Sequence, residues 1–514
     1  MKKLFTSMAL LIGSLAAMAT DYQGTLAVVV DGSVAEPLRT TIALNKQDNG
    51  KYSLALKNFV LVTEGESMGV GTITLKDIEA AEKDGQMLLE TKQDIIIENG
   101  DDPNVPMWVG PLFEEIPVEL AATIKDEILN ADIVIPFMGM NIKVLFDSRS
   151  FQLPNAGFED FHTAKAGEAT SDEPNNWHSF MSSTGELAGF VSSIPHTFIS
   201  EDVRPGSDGK KSVLIKSGMV LGLIVANGTL TTGQLKAGGL DAASTDNNAF
   251  IDLSNEAKDE NGDPFYTKLQ AQPDSISLWV KFKQGQPVPE APYATMSAVI
   301  TDGSYYQEPA DKDYSDIIVG RAGNNQIEST GEWQRLTVPF AYSNAQKNPQ
   351  AILVTLSTNA QPGAGTGEDE LYVDDVELIY NSQLSAIKVN GASIPGFAAD
   401  KYEYEYTIES GAMPTDEELL GMITIEGTAN EIRTVYDVRD HTATINVLAA
   451  DLLSSHTYVV KFKDGTSGIE DTVNQTDKPT AVYNLSGQKV ATMKKGGVYI
   501  TKYADGKTVK VIKK

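Results

Sequence analysis

Chemistry in this chain has to be assembled from carboxylates, aromatic rings and a few histidines. It contains no cysteine, which excludes thiol nucleophiles, thiolate metal sites and disulfides. The five histidines, His162, His178, His196, His441 and His456, have no His-Glu-x-x-His or other metal-ligand spacing, and lone histidines of this kind read as loop or core residues. No Gly-x-Ser-x-Gly elbow and no phosphate loop occurs, so phosphoryl and thiol chemistry are out. A glycosidase needs two carboxylates about 5 to 9 Å apart across a sugar cleft. With 70 acidic residues in the chain, some pair always meets that distance, and the sequence nominates none.

Sugar binding asks for exposed rings that stack on C–H groups, with amides and carboxylates nearby for the hydroxyls. Trp177, on a loop with Asn175, Asn176 and His178, is one such residue; Tyr305 and Tyr306, in the polar stretch from Thr301 to Ser315, are two more. Each also suits a plain packing or surface role. Trp279 and Trp333 sit in apolar alternation and are expected in the core. The formal charge of −29 repels phosphate and anionic lipid, so nucleic-acid binding is ruled out. The same acidity suits calcium, a hard cation that takes oxygen ligands.

The elements that must position these residues are strands. From Tyr22 to Asp147, apolar and polar residues alternate at a period near two, with turns expected at Asp31-Gly32, Asn49-Gly50, Asp84-Gly85 and Asn99-Gly100. Many hairpins over that length suit an up-and-down barrel, which has no open edge. Its interior is expected to be filled by its own side chains, with Trp108 plugging one end or sitting at the mouth. Apolar stretches from Ser212 to Ser357, separated by Gly, Pro and Asn clusters, suit a β-sandwich with long loops. Tyr402, Tyr404 and Tyr406 fall on one face of a further strand.

The two ends speak of export. Lys2 and Lys3, an apolar run from Leu4 to Leu15 and the small residues around Ala17 and Ala19 form a signal peptide over 1–19. No later apolar run is long enough for a transmembrane helix. Residues 481–514 carry Asn484-Leu-Ser-Gly-Gln-Lys-Val490 and Gly497-Val-Tyr-Ile500, with eight lysines against one acid from Lys489 onward. This resembles the C-terminal sorting domain of type IX secretion. The resemblance implies an extracellular or outer cell-surface location, with attachment through that tail.

Three further resemblances divide the rest. Residues 20–150, with Tyr22-x-Gly-x-Leu26, Asn58-Phe-Val-Leu61 and Ile142-Lys-Val-x-Phe146, resemble the calycin-like β-barrel domain of secreted Bacteroidetes proteins. Residues 151–381 open on Asn155-Ala-Gly-Phe-Glu159 and close on Leu371-Tyr-Val-Asp-Asp-Val-Glu-Leu378, the bookends of jelly-roll carbohydrate-binding modules. Their interior, with Pro174-Asn-Asn-Trp177, Thr231-Thr-Gly-Gln234 and Pro273 to Lys281, is similar to the Bacteroidetes carbohydrate-metabolism domain family, PCMD. Residues 382–464 resemble an immunoglobulin-like or cadherin-like spacer, followed by a linker over 465–480.

The expected fold is therefore all-β and multidomain. The jelly-roll resemblance implies a structural Ca²⁺ held by Glu159 and one of Asp374 or Asp375. Adjacent strand residues point to opposite faces, so Asp374 alone is taken. Backbone hydrogen bonding of both acids is the alternative. The functional expectation is non-catalytic recognition of a glycan or polysaccharide by the jelly roll. A glycoside hydrolase on the same domain and a surface adhesin or structural protein stand as alternatives.

Overall fold

The period-two alternation of the N-terminal segment closes into a cylinder. The computed structural model describes residues 19–63, 65–409, 413–465, 480–484, 488–495, 498–503 and 508–513. Eight antiparallel strands follow one another around the barrel, at Thr20–Val30, Leu38–Lys46, Tyr52–Thr63, Glu66–Lys83, Gln86–Ile95, Ile116–Lys125, Ile128–Phe137 and Met140–Asp147. The last pairs with the first, Leu26 opposite Phe146 and Val28 opposite Val144. Asp31-Gly32 and Asp84-Gly85 have positive φ at both positions, the primed-turn geometry that joins right-twisted strands. Asn99-Gly100 does not form a hairpin. It lies in the connection between Ile95 and Ile116 that folds back over Gly69, where Trp108 is seated.

Side chains fill the barrel. Leu26, Ile42, Leu54, Leu75, Ile78, Leu89, Leu129 and Phe146 are fully buried in one apolar cluster. From Thr25 to Val29 the first strand is buried on both faces, because Ala27 and Val29, with Leu145 of the last strand, pack outward against Val435, Leu448 and Leu452. Arg149 spans the same seam. Its guanidinium bonds Asp147 at 2.7 Å and Glu431 at 2.6 Å, with the Asp147 side chain fully buried.

Two five-stranded antiparallel sheets, drawn from strands between Thr197 and Ile379, pack as a sandwich. One runs in the order Thr197–Ser200, Ser212–Lys216, Glu370–Ile379, Ser275–Lys283, Gln334–Pro339. The other runs Thr229–Thr231, Ala351–Ser357, Tyr293–Thr301, Ile318–Glu328, Ala341–Tyr342. Leu278, Val280, Phe282, Leu371 and Val373 from the first sheet meet Met296, Ile300, Ile352 and Val354 from the second, all buried. Beyond it, two smaller antiparallel sheets carry Leu384–Val389 with Ile423–Gly427, and Glu403–Ile408 with Ser455–Asp464, Thr442–Ala449 and Ile432–Arg439. Here Tyr404 is buried and stacks on Phe397 at 5.6 Å, while Tyr402 stacks on His456 at 5.6 Å.

The chain divides into two compact units, Met1–Tyr406 with Pro414–Lys461, and Thr407–Met413 with Phe462–Lys514. Within the second, Ala481–Asn484, Val498–Lys502 and Thr508–Ile512 form an antiparallel three-stranded sheet. The expected export signal up to residue 18, most of the expected linker and residues 485–487 of the Asn484–Val490 motif lie outside the described residues. Among the described residues the structure is almost entirely β. No helix there is long and apolar enough to cross a membrane.

Candidate functional site

The strand Ser275–Lys283 decides where the rings go. Leu278, Val280 and Phe282 alternate into the core, so Trp279, Lys281 and Lys283 must point outward. The expectation that Trp279 and Trp333 are core residues is corrected here: both are partly exposed on the outer face of the first sheet. The signal was present in the lysines, since a tryptophan two residues from Lys281 shares the face that lysine occupies.

On the neighbouring strand Glu370–Ile379, Tyr372 stands on the same face. Its ring lies 6.4 Å from that of Trp333, edge-on. Lys281 Nζ sits 4.3 Å above the Tyr372 ring and 5.2 Å from that of Trp333, and Lys283 Nζ lies 5.0 Å from Tyr372. The Arg204 guanidinium stands 5.8 Å over Trp279. These cations hold the rings by cation–π attraction. Lys281, Arg204 and Arg335 are also matched by an acid or hydroxyl. Asp202 pairs with the Lys281 ammonium and accepts from Trp333 Nε1 at 3.0 Å. These bonds, the one from Lys281 being the larger, hold the Asp202 carboxyl below the usual carboxylate range. Arg335 donates to Ser277 Oγ at 3.0 Å, and Lys216 pairs with Glu370 at 2.8 Å.

A β-bulge shapes the centre. The register shifts between Ser277 and Trp279, and Asp375 takes a positive φ of 43°. A bulge adds one residue to one strand and re-aims the side chains beyond it. The rule that only one of Asp374 and Asp375 can face this side therefore fails. Asp374 Oδ2 accepts from Arg204 N at 2.9 Å, and Asp375 Oδ2 accepts from Arg204 Nε at 2.6 Å. Burial, reinforced by Asp375, pushes the Asp374 carboxyl up to about 6. An open depression of about 430 Å³ results, walled by Arg204, Trp279, Arg335, Asp375 and Glu377.

The residues expected to bind sugar lie elsewhere. Trp177 is fully buried, its ring 5.2 Å from that of Phe158 and its Nε1–H donating to Pro154 O at 3.1 Å. Asn176, at φ 64°, turns the chain so that this ring faces inward. Tyr306 is also fully buried, beneath Tyr314. Neither offers a face to a ligand. Tyr305 is half-buried, its hydroxyl donating to Gln307 at 2.8 Å and its ring set against Phe250. Glu159 and Asp374 are both hydrogen-bonded to the 204–211 loop, Glu159 through the amides of Lys210 and Lys211 at 2.8 and 3.0 Å. The Lys211 ammonium occupies the Glu159 carbonyl at 2.6 Å.

Residues 18–148 match the calycin-like β-barrel domain family. No curated protein matches the chain. Among solved structures it is similar to a candidate glycoside hydrolase from Bacteroides thetaiotaomicron, at 14% identity and TM-score 0.29, over 72% of this chain and 98% of that one. An arabinose-bound α-L-arabinofuranosidase is similar at 12% identity and TM-score 0.22, over 45% of this chain and 27% of that one. A candidate outer membrane protein from Bacteroides fragilis is similar at 12% identity and TM-score 0.17, over 66% and 97%.

Proposed function

We propose that the sandwich is a glycan-recognising module that binds without turning its ligand over. The observation that carries this is the set of rings Trp279, Tyr372 and Trp333 on the outer face of one sheet, interleaved with Lys281, Lys283, Arg204 and Arg335. Rings supply flat apolar contact to sugar C–H faces, and the ionic groups around them exchange hydrogen bonds with hydroxyls. The three aspartates of the face suit binding better than hydrolysis. A general acid or nucleophile must be free to move a proton or attack, whereas Asp202 is tied to Lys281 and Asp375 to Arg204. Asp374 is buried beneath them.

In this reading the 1–19 signal and the C-terminal sheet send the protein beyond the inner membrane, where polysaccharide is found. The filled barrel is then a support. The test is affinity electrophoresis through a panel of soluble polysaccharides, followed by reducing-sugar assay of each ligand retained. Retardation by at least one polysaccharide, weakened in Trp279→Ala and Trp333→Ala, is expected. Release of reducing ends by the wild-type chain, or retardation indifferent to both substitutions, would overturn it.

A further inference from the structure

A dry cluster of the sandwich, built from other residues than the groove, has an unusual chemistry. The hairpin Phe161–Ala166 with Ala169–Pro174 sets His162 directly opposite Glu173. A few residues on, His178 is clamped to Thr231 by reciprocal backbone hydrogen bonds of 2.8 and 3.0 Å. The turn Asp259–Asp263 approaches from a third direction, and Asp263 Oδ2 accepts from Asn176 N at 2.9 Å, tying it to the same segment.

Four side chains converge there, and on each of them one polar atom is committed to another partner. Glu173 Oε1 accepts from Ser179 N and Ser179 Oγ, both at 2.5 Å. Asp259 Oδ1 accepts from the amides of Asn261 and Asp263 at 2.9 and 2.8 Å. His178 Nε2 lies 3.1 Å from Pro264 O, and a carbonyl only accepts, so that nitrogen carries the ring proton. His162 Nδ1 donates in the same sense to Asn175 Oδ1 at 3.1 Å. What remains is a bare lone pair on each group: His162 Nε2, His178 Nδ1, Glu173 Oε2 and Asp259 Oδ2, all buried and without a hydrogen-bond partner.

Those of His162, Glu173 and Asp259 lie within 4.8 Å of one another, and that of His178 faces Asp259. His162 Nε2 lies 3.8 Å from Glu173 Oε2 and 3.6 Å from Asp259 Oδ2, and His178 Nδ1 lies 3.6 Å from Asp259 Oδ2. The side chains of Glu173 and His178 are fully buried, that of Asp259 is 2% exposed and that of His162 is 12% exposed. Acceptors packed together without a donor, away from water, are costly unless a positive charge sits among them.

We propose that His162, Glu173 and Asp259, whose ligand atoms lie within 4.8 Å of one another, bind Zn²⁺, and that His178, 3.6 Å from Asp259, closes onto the ion as the fourth tetrahedral ligand. Bonds of about 2.0–2.1 Å to nitrogen and oxygen place tetrahedral ligands roughly 3.3–3.4 Å apart, a few tenths of an ångström inside the three separations of 3.6–3.8 Å given above, while His178 stands outside the three-residue group and must move toward the ion. Two imidazoles among four ligands favour zinc over calcium or magnesium, which take oxygen. The outer hydrogen bonds fix each tautomer and carboxylate rotamer, as ligand-supporting partners do. All four positions come from protein and the centre is enclosed, the pattern of a structural site rather than a catalytic one. It joins the 161–174 hairpin, the 175–179 segment and the 255–264 loop in a chain that has no cysteine to do so.

The test uses the untagged full chain, loaded with Zn²⁺, desalted and assayed for metal, with Co²⁺ as a spectroscopic probe. One zinc per chain, an intense tetrahedral cobalt spectrum, a melting temperature lowered by chelator and no shift with Ca²⁺ are expected. His162→Gln, at the rim, and Asp259→Asn should each bind Zn²⁺ at least tenfold more weakly, while His441→Gln, on an exposed histidine, should retain it. Absence of bound zinc in the wild type, a weak octahedral cobalt spectrum, or loss of zinc in His441→Gln but not His162→Gln would overturn the proposal. If a variant does not fold, the wild-type stoichiometry and cobalt spectrum decide.

Discussion

The barrel and the sandwich are built from the same strand chemistry and use it in opposite ways. The barrel's buried core is one apolar cluster, from Leu26 to Phe146. The sandwich instead holds eight of the ten buried side-chain atoms found without a partner among the described residues. It also turns tryptophans outward while keeping aliphatics in. Departures from local rules of this kind concentrate where a fold is asked to do more than be stable. The contrast can be broken first where the barrel is tightest. Phe146→Ala removes a fully buried ring from its centre and is expected to cost about 3–5 kcal/mol in denaturant unfolding. Polysaccharide retardation by the folded fraction should be unchanged; a loss of binding would show that the barrel does more than support.

The seam between the barrel and the sheet that carries Ile432–Arg439 comes next. Arg149→Met leaves Asp147 buried without its cation. Breaking a buried pair costs about 3–5 kcal/mol. Glu431 is one-third exposed, which places the expected loss near the lower end, about 3 kcal/mol, read as a fall in melting midpoint. A change below about 0.5 kcal/mol, the level of an ordinary surface substitution, would mean that water replaces the ion pair and the seam is not dry. The groove is third in size. Trp279→Ala should weaken ligand binding about tenfold, since one ring contact is worth about 1 kcal/mol beyond its buried area. Thermal stability should hardly move, because this ring is on the outside; a large melting shift would return Trp279 to a packing role.

The all-β architecture was legible because alternation and turn residues state it locally. Asp31-Gly32 and Asp84-Gly85 need left-handed backbone, and their flanks alternate. The groove was legible in part. Alternation shows that Trp279 and Lys281 share a face, but not which face is core, and apolar neighbours suggested the wrong one. Trp177 misled for the reverse reason: its polar neighbours Asn175 and Asn176 turn the chain while the ring goes inward. The bulge at Asp375 has no residue signature of its own, so both acids facing Arg204 could not be foreseen. Half of the histidine cluster was within reach. A two-residue turn at Gly167-Glu168 places His162 across from Glu173. Asp259 was not, because its approach depends on how a long loop packs.

The smallest effect separates the sandwich's buried histidines from its carboxylates. His196 is fully buried, with Nδ1 donating to Lys216 O at 2.8 Å and the ring against Phe180. Burial lowers its pKa, more than the backbone bonds to Lys216 and Val191 raise it. A histidine held neutral in the fold contributes stability that is fully present above about pH 6.5, the unfolded value. That contribution is lost as pH falls below 6.5 toward the folded value, because the unfolded chain takes up the proton first. Buried carboxylates such as Asp374, raised to about 6, act with the opposite sign. They gain stability for the fold as pH drops, so the wild-type profile mixes both. The difference between wild type and His196→Gln isolates the histidine. Its slope between pH 6.5 and 5 should be positive and at most about 1.4 kcal/mol per pH unit. A flat difference curve would mean that water reaches the ring and that this part of the sandwich is as ordinary as the barrel wall.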